Sequence, residues 1–362
     1  MSDIRNEGVA PVILAPNQPL NRPYRGGSGI ARFRGTAHTD PYTPEDFVGS
    51  STEVFSGHGV GLTVLPDGRS LRDAIEADPL GYLGPHHVQA FGADPMLLVK
   101  LLSTDERLFV HYHPDAAFAS AHLGRTVGKT EAWVVIDTDG PDAYALLGFN
   151  RPISSVEAEH WVTEQDVPDM VGAMNPVALA TGDTLFVPAG VAHGIGPGVT
   201  LVELQEPTDL SILLEYQGFP GFTLSSALLG LDVRTAVTGL DRSLWLPEQL
   251  AVLGEGRGDG ATHFPPAADR FFRARSVHVE GAATLAAGFA ILVVVVVAGE
   301  GSLQAGAAAG AASIGASAAP LSLSLRLGRG TTVLVPFGAG EVTLQGSLDV
   351  IVCSPPAPPR AT

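Results

Sequence analysis

Short apolar runs separated by turn residues make up the middle of the chain. Between Met96 and Tyr216 these runs are LLVKLL, RLFVHYH, EAWVVID, AYALLGF, DTLFVP and TLVELQ, with Gly, Pro, Asp and Asn between them. Such spacing is typical of an antiparallel barrel or sandwich. From about Phe271 similar runs return, as in FFRARSVHV, GFAILVVVVVAGEGSL and AGEVTLQG. The pattern therefore predicts two small all-β units in succession.

A different periodicity lies between the two predicted units. From Leu224 to Leu250, Ala and Leu recur at helical intervals, and Pro247 punctuates the end. We predict a first domain over residues 1–220, a helical connector over 221–265 and a second domain over 266–362, which suits a chain of 362 residues. The small-residue stretch AGAAAGAASIGASAA, from Ala305 to Ala319, is predicted to be a flexible surface loop.

The acidic composition of the chain limits the classes of partner that it can bind. The chain has 21 Lys and Arg against 38 Asp and Glu, a formal net charge of -17. Nucleic acids and anionic membrane surfaces would be repelled, so a small diffusible ligand is expected. The N-terminal MSDIRNEG lacks the apolar core of a secretory signal, and Cys353 is the single cysteine, which together predict a cytoplasmic protein. The apolar run Ile291 to Ala298 is too short to span a bilayer and predicts a buried strand.

Four residues have the chemistry and spacing of a metal site. His111 and His113 in FVHYHP point to one face of a strand, because side chains alternate, whereas Tyr112 points to the other. Glu131 opens the strand EAWVVID, and His193 closes the turn GDTLFVPAGVAH. Three imidazoles and one carboxylate suit Zn, Fe, Mn, Co or Ni and leave positions open for substrate. The sequence thus predicts one divalent metal ion per chain.

The turn before His193 carries a known signature. Gly182, Pro188, Gly190 and His193 follow the pattern G-x5-P-x-G-x2-H, which resembles the second signature of the cupin superfamily. The HxH pair and Glu131 resemble the first signature, stretched by an inserted helix. This resemblance implies an all-β fold with a helical insert, made of two jelly-roll barrels, of which the first binds metal and the second is degenerate.

Longer stretches resemble the type I mannose-6-phosphate isomerases of the short bacterial form. They include PEDFVGSSTEVF, LPDGRSLRDAIEADPLGYLG, LLVKLLSTDERLFVHYHPD, GKTEAWVVID and GDTLFVPAGVAHGIGPGVTLVELQ. The family interconverts an aldose phosphate and a ketose phosphate through an enediol, with a divalent metal, usually zinc. The resemblance therefore implies a sugar isomerase of carbohydrate metabolism that binds a small-molecule sugar or sugar phosphate. It leaves the oligomeric state open.

The family's site residues fall on defined positions of this chain. The metal ligands fall on His113, Glu131, His193 and, where the family usually has Gln, His111. Lys129 and Glu203 are the expected catalytic residues, and Lys100, Phe109 and Asp209 are expected at the substrate.

Two positions depart from the family pattern. The catalytic Arg is replaced by Leu213, and a Ser that helps to receive the phosphate is replaced by Phe109. A phosphate dianion needs several charged or polar donors. Either another base, with Lys100, Arg107 and Arg125 as candidates, takes the missing role, or the sugar is not mannose 6-phosphate. Two other functions stay open: a non-catalytic sugar-binding or regulatory cupin that lost its Arg, and a metal-dependent cupin oxygenase.

Overall fold

Strands dominate the computed structural model, which describes residues 9–38, 40–54, 57–255, 262–286, 288, 290–306 and 323–358. The strands are β1 (Val12–Ile13), β2 (Glu45–Val48), β3 (Leu98–Ser103), β4 (His111–Tyr112), β5 (Glu131–Thr138), β6 (Tyr144–Phe149), β7 (Met174–Ala178), β8 (Thr184–Val187), β9 (His193–Ile195), β10 (Val199–Gln205), β11 (Ile212–Leu213), β12 (Arg273–Leu285), β13 (Leu292–Ala305), β14 (Leu323–Gly328), β15 (Thr332–Val335) and β16 (Val342–Ser354). The α-helices are α1 (Gly29–Arg34), α2 (Leu71–Ala77), α3 (Pro79–Leu83), α4 (Pro85–Phe91), α5 (Ala116–Phe118), α6 (Ser155–Glu164), α7 (Val167–Gly172), α8 (Leu224–Ala227), α9 (Val233–Thr238) and α10 (Pro247–Gly254).

Two five-stranded antiparallel sheets form the first barrel. One has the strand order β2-β3-β10-β5-β8 and the other has the order β11-β4-β9-β6-β7. The strands of the first sheet are almost entirely buried, because their inner faces line the barrel and their outer faces are covered by helices and by the second domain. The predicted all-β fold with a helical insert is confirmed.

The C-terminal strands form one six-stranded sheet. Its order is β1-β15-β13-β16-β12, with β14 paired to β13, and β12, β13 and β16 are each 13 or 14 residues long. Strands of this length bend through both walls of a barrel, and β13 carries a register shift between Val296 and Ala298. β1 lies outside the predicted second domain, yet it pairs with β15. The three-part domain division stays a prediction. Within it, β1 belongs by sequence to the first domain but pairs with a strand of the C-terminal sheet.

Two sequence predictions about apolar segments have clear outcomes. Ile291 to Val296 are buried, and all but the first lie in β13, so the run is a core strand. Among the described residues, none of the helices has the length and apolar character that a membrane crossing requires. The predicted loop from Ala305 to Ala319 begins at the end of β13, and from residue 307 onward it lies outside the described residues.

Helices occur where the sequence predicted them and also where it did not. The connector contains α8, α9 and α10, and α5 with the π-helical turn Ala119–Leu123 follows the HxH motif. The interpretation of Met96 to Tyr216 as strands alone overlooked α6 and α7. A local signal for α6 was present, because Ser154 and Glu157 form a capping box at its N-terminus.

A buried ion pair joins the first barrel to the C-terminal sheet. The Nε atom of Arg34 lies 2.5 Å from Oδ2 of Asp46, and both side chains are almost fully buried. Arg34 also donates to the carbonyl of Gly330 at 3.1 Å and to the hydroxyl of Thr332 at 3.2 Å. Asp46 accepts from the backbone N–H of Asn17 at 2.9 Å. The pair therefore stabilises the contact of α1 and β2 with the C-terminal sheet.

Removing one partner of this buried ion pair should destabilise the folded chain. We expect Asp46→Ala to lower the free energy of unfolding by about 3 to 5 kcal/mol, because it leaves the Arg34 guanidinium buried and uncompensated. Urea unfolding measures this loss. Asp67→Ala, which removes the exposed partner of Arg69, is the matched control and should have no measurable effect. Equal losses in the two variants would contradict the role of the buried pair.

Candidate metal centre and substrate cavity

Strand pairing brings the three predicted histidine ligands together. His111 on β4 lies directly opposite His193 on β9, and their ring centroids are 4.1 Å apart. His113 follows β4 and lies 4.8 Å from each of the other two rings. As strand alternation predicts, Tyr112 points the other way, into a separate core, where its hydroxyl donates to the carbonyl of Ala236. One nitrogen from each histidine lies within 4.8 Å of the others.

Backbone carbonyls fix the orientation of each imidazole. Nδ1 of His111 contacts the carbonyl of Phe109 at 3.0 Å, Nδ1 of His113 contacts that of Leu210 at 2.8 Å, and Nδ1 of His193 contacts that of Val191 at 2.9 Å. A carbonyl only accepts hydrogen bonds, so each Nδ1 carries the hydrogen and each Nε2 keeps a lone pair. This arrangement is typical of histidines that bind metal through Nε2.

Glu131 completes the candidate ligand set. It is the first residue of β5, and its carboxylate oxygens lie 2.8 Å from Nε2 of His113 and 3.2 Å from Nε2 of His193. The buried Nε2 of His193 has no hydrogen-bond partner among the described residues. Two acceptors at such distances repel unless a cation lies between them. Bonds of about 2.0 to 2.1 Å in a tetrahedral site would put ligand atoms roughly 3.3 Å apart, so the residues fit a divalent ion.

Electrostatics keeps the candidate ligands in the form that binds metal. Burial, together with the neighbouring rings of His193 and His113, holds the pKa of His111 well below its usual range. Burial and the ammonium of Lys129 lower the pKa of His113 to about 3. Burial alone would raise the pKa of Glu131, but Lys129 and His113 outweigh it and hold that pKa well below its usual range. The imidazoles of His111 and His113 are therefore neutral and the Glu131 carboxylate is ionised at neutral pH.

A row of alternating charges extends from the metal ligands. The ammonium of Lys129 lies 2.9 Å from Nε2 of His113, 3.0 Å from Oε2 of Glu131 and 4.0 Å from Oε1 of Glu203. Glu203 on β10 is in register with Lys100 on β3, whose ammonium is 2.8 Å from Oε2 of Glu203. Burial raises the pKa of Glu203 to about 7 although Lys100 opposes the shift.

This row forms one wall of a cavity of about 360 Å³. The three predicted ligands His111, Glu131 and His193 line it, whereas His113 lies behind them. Every residue predicted at the substrate also lines it, as do both predicted catalytic residues: Lys100, Phe109, Lys129, Glu203 and Asp209. Leu213 lies in the same cavity, opposite His111 in the register of β11 and β4.

Of the three candidate substitute bases predicted from the sequence, one lines the cavity and two do not. Lys100 lines the cavity, but Arg107 does not, because its guanidinium makes two 2.6 Å contacts with the carboxylate of Glu215. Arg125 is exposed and also lies away from the lining. These two arginines therefore cannot take the role that Leu213 leaves vacant.

Three residues of the cavity were missed by the sequence interpretation. Arg22, Tyr24 and Glu45 line it, and Arg22 forms ion pairs with Glu45 and, at 3.5 Å, with Asp209. Glu45 also accepts from Lys100 at 3.0 Å. All three come from the first 45 residues. Glu45 reaches the site because β2 pairs with β3, and the backbone N–H of Arg22 donates to the carbonyl of Tyr42 just before β2, at 3.1 Å. No local sequence motif indicates this arrangement.

Comparisons with known proteins identify relatives of the chain. No model of a known protein family matches it. It is 30% identical over 165 residues to a mannose-6-phosphate isomerase of Bacillus subtilis, covering 44% of this chain and 49% of the relative. It is 29% identical over 167 residues to the Streptococcus mutans enzyme of that name, covering 43% and 47%. The chain thus spans about half the length of the curated relatives it matches.

Solved structures extend the likeness to the whole fold. The mannose 6-phosphate isomerase of Bacillus subtilis superposes with a TM-score of 0.69 at 21% identity, covering 95% of this chain and 99% of the other. The apo form of the Salmonella typhimurium enzyme superposes with a TM-score of 0.73 at 13% identity, covering 96% and 100%. Over about half of its length this chain is similar in sequence to enzymes named mannose-6-phosphate isomerases, and its fold is similar to theirs throughout. The family resemblance predicted from the sequence is confirmed, whereas the roles of the individual site residues stay predictions.

We expect one metal ion per chain, held in the first barrel. Among the described residues, His111, His113 and His193 are the one group of three or more potential ligands with this spacing. In the C-terminal sheet, His278 is exposed and contacts Asp349 at 2.6 Å, and Cys353 is buried and distant in register. Elemental analysis of the purified chain should find one ion. A second tightly bound ion, retained by a His113→Ala/His193→Ala double variant, would contradict this prediction.

Proposed function

We propose that the chain is a metal-dependent aldose–ketose isomerase that acts in the cavity beside His111, Glu131 and His193. The observation that carries the proposal is the juxtaposition of imidazoles oriented by backbone carbonyls with a second, non-ligating carboxylate, that of Glu203, in one cavity. The names of the relatives support the same reaction class. A cytoplasmic location also stays a proposal, in keeping with the single free cysteine, Cys353.

His111, His113, Glu131 and His193 would hold the metal, and the resemblance favours zinc. A bound divalent ion polarises the carbonyl and the adjacent hydroxyl of a sugar, which makes the proton between them easier to remove. The protein's own residues supply the rest of the chemistry. They orient the sugar, exclude water and move a proton between two neighbouring carbons.

Glu203 is the proposed proton-transfer residue. Its carboxylate lines the cavity, is almost fully buried and is held by Lys100 at 2.8 Å, so it has a fixed orientation. A carboxylate that takes the proton from C2 and returns it to C1, while the hydroxyl proton of O2 passes to O1, converts an aldose into a ketose through an enediol. The ammonium of Lys129, 4.0 Å from Oε1 of Glu203, would stabilise the negative charge that develops on the enediol oxygens.

Deuterium exchange tests this proposal directly. Metal-loaded protein in D₂O, incubated with an aldose substrate, should replace the hydrogen at C2 with deuterium while the ketose accumulates, and NMR spectroscopy measures both. Protein stripped of metal by a chelator should do neither, and divalent metal should restore both.

Two other outcomes would favour the alternatives. Oxygen consumption that accompanies sugar loss would indicate a metal-dependent oxygenase. Tight binding of sugars without turnover, by fully metal-loaded protein, would indicate a sugar-binding cupin.

A further inference from the structure

We propose that the cavity takes an unphosphorylated aldose, and that its residues select against the terminal phosphate ester of the same sugar. This inference rests on the proposed isomerase function and specifies its substrate class. The relatives are named for a phosphorylated sugar, so the proposal distinguishes this chain from them.

The cations at the open side of the cavity are already paired with carboxylates. Arg22 forms ion pairs with Glu45 and, at 3.5 Å, with Asp209. Lys100 lies 3.0 Å from Glu45 and 2.8 Å from Glu203. All four of these pairs are buried or nearly so, and the mutual attraction holds the pKa of Glu45 at about 2 despite its burial. A phosphate group would have to compete with these carboxylates for each cation.

The third cation of the cavity, Lys129, contacts the candidate metal ligands. Lys129 contacts Glu131 at 3.0 Å and is turned toward His113. Among the described residues that line the cavity, every Lys or Arg side chain therefore has a carboxylate within 3.5 Å.

The hydrogen-bonding groups of the cavity also favour an unphosphorylated sugar. The carboxylates of Glu45 and Asp209 accept hydrogen bonds and cannot donate them when ionised. Sugar hydroxyls donate, so they complement these acceptors. A phosphate dianion has no hydrogen to donate, and its oxygens would be repelled at the same positions.

Part of the remaining wall is apolar. Phe109 stacks edge to face with Tyr24 and Phe222, each at a centroid distance of 5.9 Å, and Leu213 lies beside His111 in the same cavity. This part of the wall suits the C–H face of a sugar ring or chain. The hydroxyls of Tyr24, Ser211 and Ser226 also line the cavity and can exchange hydrogen bonds with sugar hydroxyls.

Paired substrates test the inference on the wild-type chain loaded with zinc. D-Mannose, D-glucose and D-lyxose are each assayed beside their own terminal phosphate esters. For each sugar that is turned over, we expect kcat/KM for the free form to exceed that of the ester by about tenfold to a hundredfold, since the ester lacks the terminal hydroxyl donor and its bond to a carboxylate. Calorimetry with D-mannitol and D-mannitol 6-phosphate provides a binding readout that does not require turnover, and mannitol should bind more tightly.

Substitutions in the apolar wall test its part in the selection. Leu213→Arg adds a guanidinium, and it should improve kcat/KM for the ester and the affinity for mannitol 6-phosphate by about tenfold to a thousandfold. Val252→Arg, which adds the same guanidinium at an exposed position of α10 outside the cavity lining, is the matched control and should change neither. Should the arginine variant fail to fold, Phe109→Ser, which adds a hydroxyl to the same wall, should shift the preference toward the ester more weakly.

Each outcome decides a separate point. Preferred turnover of a phosphate ester by the wild-type chain overturns this inference and leaves the isomerase proposal standing. Absence of turnover with all six sugars overturns the isomerase proposal. The calorimetry with D-mannitol and D-mannitol 6-phosphate then decides the inference about the substrate class. Tighter binding of mannitol supports it, whereas tighter binding of mannitol 6-phosphate, or binding of neither, overturns it.

Discussion

His193→Ala should release the metal and lower the rate of sugar isomerisation by roughly a thousandfold or more. Its Nε2 is buried, has no hydrogen-bond partner among the described residues and lies 3.2 Å from Oε1 of Glu131, so removal of the ring deletes one ligand from a set of four. A metal ion contributes several kcal/mol of charge stabilisation to reactions of this type, and each 1.36 kcal/mol is a factor of ten in rate. His113→Ala should behave alike, because its Nε2 lies 2.8 Å from the same carboxylate.

Elemental analysis and steady-state kinetics measure the two effects. His278→Ala is the matched control, since that imidazole is exposed and its partners are Asp349 and Glu280 in the C-terminal sheet. It should keep both metal and activity. Circular dichroism checks that the folded state persists in all three variants. If His193→Ala and His113→Ala each retained a full equivalent of metal, the ion would have to bind elsewhere in the chain.

Glu203→Gln should lower kcat by about a hundredfold to ten thousandfold while the metal stays bound. The substitution keeps the size of the side chain and removes its capacity to carry a proton between carbons, and general acid–base groups contribute rate factors of this order. Hydrogen exchange at C2 of the sugar should fall by the same factor as kcat, because both depend on the same proton transfer. KM should change much less.

The neighbouring Glu206 provides the control. It is buried at the end of the same segment, accepts from the backbone N–H of Thr130 at 2.8 Å and does not line the cavity. Glu206→Gln should therefore affect stability more than kcat. Normal kcat in a metal-loaded Glu203→Gln protein would show that a different group moves the proton.

The part of the site that follows from strand alternation could be predicted from the sequence. Alternation alone puts Phe109, His111 and His113 on one wall and Tyr112 on the other, and the structure has this arrangement. The spacing before His193 identified the turn that returns its imidazole to the same wall. Local periodicity also identified the two sets of strands and the helical connector.

The parts that depend on distant pairing could not be predicted in this way. Glu45 reaches the cavity through the pairing of β2 with β3, about 55 residues later in the chain, and Arg22 joins it there through ion pairs with Glu45 and Asp209. Arg107 was a reasonable candidate base by its position near His111, but Glu215, 108 residues away, binds it outside the cavity. Long-range ion pairs of this kind leave no periodic signal in the sequence, because each partner is a single polar residue in an otherwise ordinary segment.

Activity as a function of metal occupancy tests the proposed centre most directly. Stripped protein is titrated with zinc, and ketose formation from the best sugar of the panel is measured at each step, in parallel with the His193→Ala variant. For the wild-type chain, activity should rise linearly to a plateau at one ion per chain, and the variant should stay flat throughout. Full activity of the stripped wild-type chain, or an equal rise in the variant, would contradict a metal-dependent isomerase centred on His111, His113, Glu131 and His193.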